Sequence, residues 1–84
     1  KGQIVSGDLD SYIDSGAYSV ADPNRSVANM PSGAYGYGTL IVFGVTLHVV
    51  VQIYVTGVAT PITYVRTMYG DRFLAWGKLE RAAV

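Results

Sequence analysis

An 84-residue chain with six basic and six acidic residues has room for one domain and no basic patch for nucleic acid. Without cysteine, and with His48 its one histidine, it excludes disulfides, thiolate metal sites and multi-histidine sites. Charged residues make up only 14%, so part of the surface is expected to be covered, and partner subunits are expected to supply stability that so small a core lacks.

The chain opens without Met or a signal-like pattern and reads as a segment of a longer one. Residues 1–7 read as a linker. Asp8 is placed to cap a short helical turn in which Leu9, Tyr12 and Ile13 share one side. Asp14-Ser15-Gly16 is a turn, and Ala17–Val20 a short strand. Residues 21–38 form a long connection punctuated by Pro23, Pro31 and several glycines; a connection of this length is usually functional or ordered by a partner.

From Thr39 onward the chain is apolar, with no Asp, Glu, Lys or Arg between Arg25 and Arg66. Gly44 divides it into strands Thr39–Phe43 and Val45–Thr56. Alternation in the longer strand puts Val45, Leu47, Val49, Val51, Ile53 and Val55 on one face, expected to be core. The other face carries Thr46, His48, Val50, Gln52, Tyr54 and Thr56. Its mixed character suits a subunit interface, with His48, Val50, Gln52 and Tyr54 as candidate contacts. Ile62–Tyr69, a Gly70-Asp71 turn and Phe73–Leu79 complete the strands. Residues 80–84 read as a C-terminal tail.

Thr39–Ala59 is long enough to span a bilayer as a helix. The two-residue period, the β-branched excess, and His48 and Gln52 within the span argue against a membrane-spanning protein. No clustered Lys or Arg flanks the span.

The remaining candidates carry little chemistry. His48 has no Cys, Ser or acidic neighbour in sequence. Asp8, Asp10 and Asp14 lack the glycine and terminal Glu of a calcium loop. The glycines at 33, 36 and 38 precede a strand where a phosphate loop precedes a helix. Arg66 is placed to stack on Trp76 or to pair with Asp71 or Glu80. No nucleophile, base and orienting group assemble, so no catalytic residue, cofactor or metal is assigned. Tyr35, Tyr37, Tyr69 and Trp76 could form an aromatic platform for a sugar or a partner protein, against a default role in packing.

These readings combine into a mainly β domain over residues 8–79: a twisted antiparallel sheet of four to five strands with a short N-terminal helical turn. The ordered set of Asp8-Leu9, Gly16-Ala17-Tyr18, Pro31-Ser32-Gly33, Val50–Tyr54, Tyr64–Thr67, Tyr69-Gly70, and a closing strand with Phe73, Trp76 and Leu79 resembles the knob domain of R-type pyocin fibres and of bacteriophage tail fibres and tailspikes. Phe73 stands where the family often has a first Trp, and one basic residue, Lys78, remains of its closing run. The resemblance implies a non-catalytic structural and adhesion module of the virion tail, a homotrimer joined to neighbouring fibre domains. It implies a place either near a receptor-binding tip or as a spacer between shaft and tip. The alternative is a carbohydrate-binding module that contacts bacterial surface polysaccharide through Tyr35, Tyr37, Tyr69 and Trp76.

Overall fold

Residues 2–46 and 49–79 are described by the computed structural model. In chain order they form β1 (Gly2–Ile4), β2 (Gly7–Asp8), a 3-10 turn (Leu9–Ser11), β3 (Gly16–Ala21), β4 (Val27–Ala28), β5 (Tyr37–Thr46), β6 (Val49–Thr56), β7 (Thr63–Tyr69), β8 (Arg72–Phe73) and β9 (Gly77–Leu79). The main sheet runs β1-β3-β5-β6-β7, with β8 and β9 both pairing with β7. It is mixed rather than purely antiparallel, because β1 lies parallel to β3. Residues 2–4 are therefore a sheet edge with Ile4 buried, where a linker was expected. The expected tail at residues 80–84 lies outside the described residues.

The apolar stretch is one long hairpin, as its β-branched content demands. Gly44 does not end a strand: β5 continues through it to Thr46, with a register shift between Gly44 and Thr46. Gly44 is needed for a different reason. A Cβ there would collide with the Ile13 carbonyl, so the N-terminal segment can cross β5 closely only over a glycine. The closing strand is interrupted: β8 and β9 flank Leu74–Trp76, and the Leu74 N–H bonds the Thr67 carbonyl.

One face of the sheet is covered by a layer containing the 3-10 turn, the small parallel β2–β4 pair and the connection around residues 22–36. Asp8 caps the turn as expected, its Oδ1 accepting the Asp10 N–H at 2.9 Å. Leu9, Val27 and Ala34 from this layer meet Ile4, Val20, Leu40, Val42, Val50 and Tyr54 of the sheet to form the core.

The two faces of β6 are the reverse of the sequence expectation. Val50, Gln52, Tyr54 and Thr56 are the buried side, whereas Val49 is exposed and Val51, Ile53 and Val55 are only half-buried. The polar members tolerate burial because the covering layer and β7 give them partners. Gln52 Nε2 donates to the carbonyls of Leu9 and Tyr12 at 2.7 and 2.8 Å, and the Tyr54 hydroxyl donates to the Tyr35 carbonyl at 2.6 Å. Thr56 Oγ1 accepts the Ile62 N–H at 2.9 Å. Among the described residues, no layer of the chain covers the wholly apolar side.

Candidate functional site

The outer sheet face is built by strand alternation. Ala17, Ile41, Ile53 and Val65 lie side by side across β3, β5, β6 and β7, and Phe43, Val51 and Thr67 form the adjoining row. Every residue that β3, β5, β6 and β7 direct to this side is uncharged. Arg72, opposite Tyr69, brings a charge only to one corner. Phe43, Val45, Val49 and Tyr69 are among the exposed large apolar residues.

The aromatic candidates are not one platform. Tyr35 and Tyr37 are adjacent, their ring centroids 5.7 Å apart and tilted at 49°, and both rings are exposed. Tyr69 is at the far end of β7, beyond the pairing of Thr67 with Val51, whereas Tyr37 adjoins the opposite end of the sheet next to the pairing of Gly38 with Thr56. At about 3.3 Å per residue that separates them by roughly 26 Å along the strands. Trp76 is structural: its Nε1–H donates to the Asn29 carbonyl at 2.8 Å, and its ring packs against the core. His48 lies outside the described residues. Val50, Gln52 and Tyr54 are sealed inside the protomer, so the subunit contact expected of them has no surface to act through. The cause is the reversed burial of β6.

Arg66 lies opposite Gln52 on the inner face and is buried. Its Nε donates to Gln52 Oε1 at 2.8 Å, and its guanidinium carbon lies 4.0 Å from the Phe73 ring centre and 4.7 Å from that of Trp76. Phe73 thus supplies one of the two rings that the Arg66 guanidinium lies over. The charge partner is Asp10, with Nη2 2.9 Å from Oδ1, and not Asp71; Glu80 lies outside the described residues. That pair is held by charge rather than by an aligned hydrogen bond. Burial lowers the Arg66 pKa against the pull of Asp10 and Asp8. Asp10 sits 56 residues before Arg66 in the chain, so spacing alone gave no signal for the pair.

In the covering layer, Asp22 is buried and braces the connection. Its Oδ1 accepts the Ser26 N–H at 2.7 Å and the Ser26 hydroxyl at 3.0 Å, and its Oδ2 accepts the Val27 N–H at 3.0 Å. Burial pushes the carboxyl pKa up, and the donors from Val27 and Ser26 outweigh it, holding the group below its ordinary value. Beside it is an open cavity of about 250 Å3 edged by Arg25, Asn29 and Ser32. Among the described residues no cluster of three or more His, Cys, Asp or Glu could hold a metal, and no helix is long and apolar enough to cross a membrane. The stretch weighed as a membrane helix is the β5–β6 hairpin.

No family model matches the chain, and no curated protein matches it. Solved structures do. The R1 pyocin fibre of P. aeruginosa, resolved over its C-terminal residues 323–701, superposes with a TM-score of 0.81 at 27% identity, covering 96% of this chain and 21% of that one. An N-truncated R2-type pyocin tail fibre gives 0.83 at 24% identity, over 96% and 32% of the two chains. The R2 pyocin fibre of P. aeruginosa gives 0.83 at 24% identity over 96% and 22%. The chain thus spans about a fifth to a third of the length of the fibre structures it matches. Over nearly all of its own length, it is similar to a domain of R-type pyocin tail fibres and has that knob-like β fold.

Proposed function

We propose that this chain is a non-catalytic structural and adhesion module of a phage-like tail fibre, working as a homotrimer joined to neighbouring fibre domains. The observation that carries this reading is the likeness to the R1 pyocin fibre, 27% identical over 96% of the chain. The physical chemistry agrees: the sheet and its covering layer leave the other, uncharged face of the sheet open, and another copy is the simplest cover for it. Such a module would sit in the virion tail, in a fibre or tailspike. Sedimentation equilibrium in detergent-free buffer should give three times the 9.0 kDa chain mass, with a β-type circular dichroism spectrum. A helical spectrum together with a detergent requirement would sink this reading.

A second reading is favoured by the exposed Tyr35–Tyr37 pair: direct contact with bacterial surface polysaccharide, sugar rings packing on the tyrosine faces. Titration with host lipopolysaccharide tests it. Binding that disappears in Tyr37→Ala supports receptor contact, and no binding leaves the module as a connector between shaft and tip.

A further inference from the structure

We infer that the outer face of the sheet, centred on the Ala17–Ile41–Ile53–Val65 row, is the surface by which copies of this chain pack together. The inference rests on the homotrimer reading above and assigns it a face.

Three observations support this occupant. First, the face is uncharged across four strands, whereas the covering layer on the opposite side carries Asp8, Asp10, Asp22 and Arg25. An uncharged surface of this kind fits a partner equally free of charge, and the same face on another copy is such a partner. Second, its size is right. Five strands at about 4.8 Å spacing and about seven residues at 3.3 Å give roughly 24 by 23 Å, or on the order of 550 Å2 in projection. Side-chain relief raises the accessible area toward the roughly 800 Å2 per partner of a stable interface. Third, the geometry limits the number of copies. Three faces about 24 Å wide closing a triangular prism place each sheet roughly 7 Å from the axis, about 2 Å beyond half the ~10 Å spacing of packed sheets. Side chains such as Ile41, Phe43 and Ile53 fill that distance. Four copies would stand about 12 Å from the axis and leave a void, which packing does not tolerate. Two copies face to face also satisfy the sheet spacing, so the choice of three over two comes from the fibre reading.

The arrangement turns the covering layer outward. Arg25 and the cavity beside Asp22 then lie on the exterior of the assembly, and the Ile53 row lies at its axis.

Light scattering on the 84-residue chain tests this, comparing wild type with Ile53→Lys and with Ser32→Lys on the covering layer. The expected result is a trimer for wild type and Ser32→Lys, and a threefold fall in mass for Ile53→Lys with the β-type circular dichroism retained. The absence of cysteine provides a second readout that does not depend on a disruptive variant. Val51→Cys should oxidise to chain-to-chain disulfides, and Ser32→Cys should not. A trimer that persists in Ile53→Lys, with no cross-link at residue 51, overturns this face and leaves the trimer reading standing. A wild-type dimer that Ile53→Lys splits overturns the trimer and keeps the face. A wild-type monomer overturns both. A wild type that associates only with phosphatidylcholine vesicles, and not with itself, replaces the second copy with lipid.

Discussion

Gln52 and Arg66 face each other across β6 and β7, and the Gln52 side chain joins three parts of the chain. Its Oε1 accepts from Arg66 Nε, and its Nε2 donates to the Leu9 and Tyr12 carbonyls. One amide thereby fixes the 3-10 turn onto the sheet and orients the Arg66 guanidinium that lies over Phe73 and Trp76.

Gln52→Leu fills the same space but leaves a buried guanidinium N–H and two carbonyls without that partner. Unsatisfied buried groups cost about 1–3 kcal/mol each, more when charged, so a total loss of roughly 3 kcal/mol is expected. Urea unfolding measures it. A loss within ~0.5 kcal/mol would mean that the network contributes little.

Gly38→Ala should destabilise for a steric reason. A Cβ at Gly38 would press into the Val55 carbonyl and the Tyr54 ring, both fixed inside the sheet. Overpacking of this sort typically costs about 1–3 kcal/mol. Gly2→Ala meets nothing within 4 Å and is the matched control, expected to leave the urea midpoint unchanged.

Stability should fall at both extremes of pH, for two identifiable groups. The native Asp22 carboxyl titrates below its ordinary value of 3.8, because the bonds from Val27 and Ser26 outweigh burial. The unfolded chain therefore takes up that proton first. The contribution is complete above about pH 4 and is lost as pH falls through the depressed native value. Tyr54 behaves oppositely. Burial, then the nearby Asp22 and Tyr64, raise its hydroxyl from 10.0 to about 12. That contribution is whole below pH 10 and lost between pH 10 and 12, on the order of 2–3 kcal/mol at about 1.4 per unit. Unfolding free energies for wild type, Asp22→Asn and Tyr54→Phe across pH separate the two: Tyr54→Phe should flatten only the alkaline limb, whereas Asp22→Asn should flatten the acid limb and also reduce the alkaline one, because the Asp22 charge contributes to the Tyr54 shift.

Trp76 and Tyr37 should part company in stability measurements. Trp76→Phe removes the bond to the Asn29 carbonyl and shrinks a ring that lies over Arg66, an expected loss of about 1–2 kcal/mol. Tyr37→Ser touches an exposed ring and should stay within ~0.5 kcal/mol. Equal losses in thermal or urea unfolding would contradict the separation of these aromatics into one structural and one surface role.

The strands were legible along the chain because β-branched alternation and glycine turns are local signals. Residues 17–20 lie in β3, 39–46 in β5, 49–56 in β6 and nearly all of 62–69 in β7, and Asp8 caps its turn. The fibre likeness was legible in the same way, as an ordered set of short motifs. The face to be buried was not. Counting apolar residues favours the Val45–Val55 side, and by that measure Gln52 and Tyr54 belong outside. The deciding contacts come from Leu9, Tyr12, Tyr35 and Arg66, which lie between 14 and 43 residues away from their partners in the chain. Only the folded chain brings them together. Sequence alone determined that this protein is a β domain with more apolar surface than one small core needs. Tertiary structure decided which side of the sheet that surplus occupies, because a polar side chain can be buried wherever its partners are already in place.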